Sequence, residues 1–142
     1  MNIAEQRSAP DELIAFSKAQ LHDVLINVKG IDFIMACSTD GFELCSEYRK
    51  NNYNSGKLAA VSSSILAMVS AFLGEIQLTG CQSITLDAEN GKAVLTAVPA
   101  HKHPMVIVTL AAKDILLGQL LYSLKEASNN IVKHDQADSL NN

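Results

Sequence analysis

No run of basic residues occurs anywhere in this 142-residue sequence. The 11 Lys and Arg stand against 15 Asp and Glu, a net charge of −4, and the charges are scattered rather than blocked. That distribution argues against a nucleic-acid or membrane surface as the main partner. Cysteine is scarce and odd in number, 3 in all, and the opening MNIAEQRSAPDE is polar, of mixed charge and without a secretory signal. Both features point to free thiols in a reducing cytoplasm.

Charge is missing altogether from residues 58–74, between Lys57 and Glu75. A membrane span needs about 20 predominantly apolar residues, and this stretch is shorter. It also holds Ser62, Ser63, Ser64 and Ser70 and lacks an aromatic belt or a polybasic flank. A soluble, buried helix is therefore the expectation.

Signatures of catalysis are absent too. Neither Gly56-Lys57 nor Gly91-Lys92 completes a GxxxxGK[ST] phosphate loop, and no GxGxxG, GxSxG or HExxH occurs. His101 and His103 stand two apart near Pro104 without further ligands at metal spacing, which reads as a polar loop. Cys37 and Cys45 fall on opposite faces of a hairpin and Cys81 begins another strand, so all three read as small buried hydrophobes. Asp40, Asp87 and Glu89 sit at or near turns, where carboxylates are ordinarily solvated. No catalytic residue, metal or cofactor is expected.

What is present fits one domain with a sizeable core. Ile14, Leu21, Leu25 and Val28 form one stripe of a helix over residues 11–28, ended by Gly30. Alternating residues around Asp40-Gly41 give a hairpin with strands at 31–38 and 42–48. After a polar loop in which Asn54 or Ser55 is the N-cap comes the uncharged helix. A second hairpin turns at Asn90-Gly91, residues 104–112 form a third apolar strand run, and Asp114 caps a last helix with Leu117, Leu120, Leu121 and Leu124 facing inward. The order is α-β-β-α-β-β-β-α, an α+β fold with a five-stranded antiparallel sheet and helices on both faces. The domain spans residues 11–132 between a flexible extension, 1–10, and a disordered tail, 133–142.

A two-residue turn in the first hairpin pairs Cys37 with Leu44, Met35 with Ser46 and Phe33 with Tyr48. One face is then apolar. The other, where Asp32, Ser38, Glu43 and Glu47 surround Ile34, Ala36 and Cys45, is expected to meet solvent or a lighter cover. At about 100° per residue, the uncharged helix places Leu58, Val61, Ile65, Met68, Val69, Phe72 and Ile76 on one side, expected against the sheet. Ala60, Ser63, Ser64, Ala67, Ala71 and Gly74 line the opposite side. Such a strip suits close approach of a second copy, aided by pairing of an exposed strand edge over residues 81–86 that includes Cys81, Ser83 and Thr85. Bulky side chains are expected to fill both layers and leave no cavity.

Gly30-Ile31, Asp40-Gly41-Phe42, Lys57-Leu58-Ala59-Ala60, the spacing of Ile84, Asn90-Gly91 and Val98, and Leu117-Gly118-Gln119-Leu120 together resemble the roadblock/dynein light chain family, a branch of the profilin-like and longin-like sandwiches. The match covers about residues 13–131. The resemblance implies a homodimer, or a heterodimer with a related chain, with paired long helices and a sheet continuous across the interface. It implies a non-enzymatic cytoplasmic regulator or scaffold that binds a small Ras-like GTPase, as in bacterial family members that control polarity and motility. Arg49 and Lys50, in the loop ahead of the long helix, are the candidate partner contacts. Of the two arginines, Arg7 and Arg49, only Arg49 lies in a loop suited to an arginine finger. A small-molecule sensor or a purely structural assembly module on the same fold is the alternative.

Overall fold

In the computed structural model, which describes the backbone of residues 9–141 and the side chains of residues 9–137, the two central strands are apolar along nearly their whole length because both of their faces are covered. The chain runs α1 (Asp11–Asn27), β1 (Ile31–Ser38), β2 (Glu43–Tyr48), α2 (Ser55–Glu75), β3 (Ser83–Ala88), β4 (Gly91–Val98), β5 (Met105–Ala111) and α3 (Leu117–Asn141). The strands form one antiparallel sheet in the order β2-β1-β5-β4-β3, so β2 and β3 are its edges.

Strand alternation sends Ile34, Ala36, Val94, Val98 and Ile107 to one face, where they meet Leu13, Leu21 and Val24 of α1 and Leu120, Leu124 and Ile131 of α3. Phe33, Met35, Cys37, Leu95, Val106 and Val108 point to the other face, under α2. The face expected to be lightly covered thus carries two helices and the larger core. The small side chains of Ala36 and Cys45 leave room there for the leucines of α1 and α3 to fill.

Register explains a second difference. Phe33 pairs with Tyr48 and Met35 with Ser46 as expected, but Cys37 lies opposite Glu43. The irregularity makes Leu44 an extra residue and turns it toward the α1/α3 core. Gly41 adopts φ 95°, and a Cβ there would stand 3.2 Å from the Ala60 Cα. Turn geometry and the close passage of α2 both call for glycine. In the second hairpin Ala88 pairs with Gly91, placing the turn at Glu89-Asn90, one residue earlier than expected. Gly91 instead begins β4, where a Cβ would come within 3.2 Å of the Ala111 carbonyl oxygen on β5.

Asn54 caps α2, its side-chain oxygen accepting the Lys57 N–H at 3.1 Å. The helix ends in a Schellman arrangement: Leu78 N–H donates to the Leu73 carbonyl, Gln77 N–H donates to the Gly74 carbonyl, and Gln77 takes the left-handed conformation at φ 63°. The residues of the expected disordered tail that the structure describes are helical, since α3 starts at Leu117 rather than after Asp114 and continues to Asn141. No apolar periodicity announces this extension. The His134 ring stacks on Phe16, with centroids 4.1 Å apart, and the buried Asp135 carboxylate accepts the Lys102 N–H and His103 Nδ1–H, both at 2.9 Å. Residues 1–8 of the expected N-terminal extension lie outside the described residues, while Ala9 is buried in the core.

Candidate interaction surface

The inward face of α2 sets two small residues among partly buried aliphatic ones. Ala59 and Ser62 are its buried positions, and Leu58, Ile65 and Leu66 pack partly against Phe33, Met35 and their neighbours. Gly41 lets the β1–β2 turn pass close to the start of α2, where a Cβ would stand 3.2 Å from the Ala60 Cα. The helix is rotated from the expected orientation, so that Leu58 and Ile65 keep the sheet while most of the rest of the expected apolar row turns outward. Val61, Met68 and Phe72, expected against the sheet, are 48%, 66% and 63% exposed, and Ile76 just beyond the helix is exposed as well.

Ala60, Ser64, Ala67, Ala71 and Gly74 also face outward, and among the described residues no other helix roofs them. The outer surface of α2 therefore joins small residues to a row of large apolar ones, with no charge between Lys57 and Glu75. Leu78 and Leu86 extend the exposed apolar surface beyond the helix. Ordinary monomer surfaces seldom present apolar side chains in such continuity. At 21 residues, α2 is long and apolar enough to cross a membrane by length and composition alone. Its inner face, however, is packed on the sheet.

The remaining expected interface residues divide. Ser63 is half-buried and its hydroxyl donates to the Thr39 carbonyl, so it fastens α2 to the β1–β2 turn. Ser64 donates to the Ala60 carbonyl one turn back. Cys81 precedes β3, which begins at Ser83. Ser83 and Thr85 pair with Thr96 and Val94, which places their side chains on the α1/α3 side of the sheet; Ile84 shares the α2 side with Leu95. What β3 offers to a partner is its outer backbone edge together with Leu86.

Arg49 and Lys50 are held by the chain itself. The Arg49 guanidinium donates to the Leu25 carbonyl at 2.9 Å, satisfying an acceptor in the last turn of α1, and its N–H donates to the Asp32 carbonyl. The Lys50 ammonium lies 3.7 Å from the Asp32 carboxylate. An arginine serving as a finger would have to leave this position. The thiols lie as the alternation of the hairpin required, Cys37 under α2 and Cys45 under the two-helix layer. Burial, the largest influence on both, pushes Cys37 up to about 12 and Cys45 up to about 11, which keeps them protonated and poorly nucleophilic.

The sequence matches no family model and no curated protein. Solved structures do match. MglB of Myxococcus xanthus superposes with a TM-score of 0.78 at 15% identity, over 91% of this chain and 94% of that one. An MglB in a tetrameric arrangement gives 0.80 at 13% identity, over 92% and 95%. A Roadblock/LC7 domain from Streptomyces avermitilis gives 0.72 at 10% identity, over 82% and 95%. The chain has the roadblock fold. At such low identity the likeness concerns the fold alone. Within the roadblock fold of this chain, the outer face of α2 and the free edge of β3 are its candidate docking elements.

Proposed function

We propose that this protein is a dimeric, non-enzymatic cytoplasmic regulator or scaffold that binds a small Ras-like GTPase. The observation carrying this reading is the exposed apolar face of α2. A second copy bringing the same face around a two-fold axis would bury Val61, Met68 and Phe72 against the small residues Ala60, Ser64, Ala67 and Ala71. The five serines of the helix and its small-residue strip favour a protein partner over lipid. Pairing of the two β3 edges would extend the sheet and remove an aggregation-prone border. The likeness to MglB, together with the family resemblance, supports a GTPase as the further partner. Because Arg49 anchors α1, activation of such a GTPase would work by reorganising the partner's own loops.

Sedimentation of Ala67→Lys tests the dimer: a charge placed in the strip should weaken self-association by roughly thirtyfold or more. An unchanged dimer rules this surface out. Capture from extract loaded with GTP or GDP, with the bound protein identified and its binding reproduced with purified components, tests the second partner. A small GTPase bound preferentially in one nucleotide state supports a regulator, and equal binding in both states supports a scaffold. Capture of no GTPase defeats the reading.

A further inference from the structure

A cavity of about 340 Å³ opens between α3 and the β3–β4 ladder, where no cavity was expected. Its origin is geometric: α3 packs along β4 rather than along the edge strand β3, and a wedge remains between helix and sheet edge. On the sheet side the inward positions of β4 are Val94, Thr96 and Val98, all buried. Thr96 departs from the apolar pattern at the place where the wedge opens. It is 6% exposed, it lies opposite Ser83 on β3, and its hydroxyl has no hydrogen-bond partner among the described residues. A buried hydroxyl left without a partner is costly in a finished core.

We propose that this cleft binds a small organic carboxylate bearing a short apolar chain. Lys125 and Asn129, one turn apart on α3, line it with an ammonium and an amide on the same helix face. No Asp or Glu is among its lining residues, so an anion there would meet no opposing charge. Leu121 and Pro99 provide apolar wall, and Ser83 supplies a hydroxyl at the sheet beside the buried Thr96. The volume stands at the lower end of the range that holds small ligands, about 300–1,000 Å³. It suits an acid of a few carbons rather than a nucleotide. The cleft lies on the sheet face opposite α2, so the proposal is independent of what docks on that helix.

Titration of the isotope-labelled full chain with butyrate, and in parallel with butanol and butylamine, tests it by amide chemical shifts. Butyrate should give saturable shifts at Ser83, Thr96, Ala97 and residues 125–129. Butanol should bind at least tenfold more weakly, and butylamine should not bind. Lys125→Met, which keeps an apolar stem and removes the charge, should weaken butyrate at least tenfold. Ser83→Ala should weaken binding with Tm unchanged, a combination that loss of the fold would not produce. Absence of saturable shifts with butyrate, an equal response to butanol, or shifts confined to other residues would overturn the proposal.

Discussion

Helices α2 and α3 lie on opposite faces of one sheet and use their side chains in opposite ways. α3 turns Leu120, Leu124 and Ile131 into the core and shows Glu126, Asn130 and Lys133 to solvent. α2 buries Ala59 and Ser62 and shows Val61, Met68 and Phe72. The contrast teaches that the larger side chains of a helix need not mark its inner face. In α2 the closest positions beneath the helix are small, Leu58, Ile65 and Leu66 pack beside them, and Val61, Met68 and Phe72 are left for another surface.

The contrast is sharpest in stability. Leu124→Ala, at a fully buried position, should cost about 2–5 kcal/mol in urea unfolding. Phe72→Ser, at an exposed one, should cost less than about 1 kcal/mol when measured at concentrations where the chain is single. A comparable loss from both would mean that the outer face of α2 belongs to the monomer's own core.

A smaller effect is expected at Asp135, which ties the loop after β4 to the end of α3. Burial alone would raise its carboxyl, but the hydrogen bonds from His103 and the Lys102 N–H outweigh it and hold the carboxyl below the usual range. A carboxylate depressed in the folded state adds stability above its unfolded pKa of about 4, and that stability is lost as pH falls through the folded value. Asp135→Asn should therefore cost about 1–2 kcal/mol at pH 7 and progressively less toward pH 3. Urea titrations at the two pH values check this, and a pH-independent difference would remove the charge from the explanation.

The smallest change is expected at the end of α2, where Gln77 occupies a left-handed conformation that glycine adopts without steric cost. Gln77→Gly should raise stability by up to about 1 kcal/mol, read as an increase in Tm. No gain would indicate that the side chain makes up for its backbone strain.

The order of elements, the two hairpins, the Asn54 cap and the separation of Cys37 from Cys45 were legible in the sequence because each follows from local periodicity or turn chemistry. The rotation of α2 was not, since in a helix apolar on both sides the inward face is chosen by packing between segments, which pattern alone does not encode. Nor was the position of Leu44, which depends on one irregular pair in the ladder. The end of α3 is held by a stacked histidine and a buried carboxylate rather than by an apolar stripe, so hydrophobic periodicity stops before the helix does. Of the strip, Ala60, Ser64, Ala67, Ala71 and Gly74 face outward. Ser63 and the side chains of Ser83 and Thr85 face elsewhere.

Ser55 donates to the Glu43 carboxylate at 2.9 Å, Ser63 donates to the Thr39 carbonyl, and Ala60 rests on Gly41, so the first hairpin grips the leading half of α2. The trailing half, with Phe72 near its end, has only van der Waals support from the sheet. Such a helix behaves as a cantilever: its root fixes the direction, and whatever settles against its tip determines the final tilt.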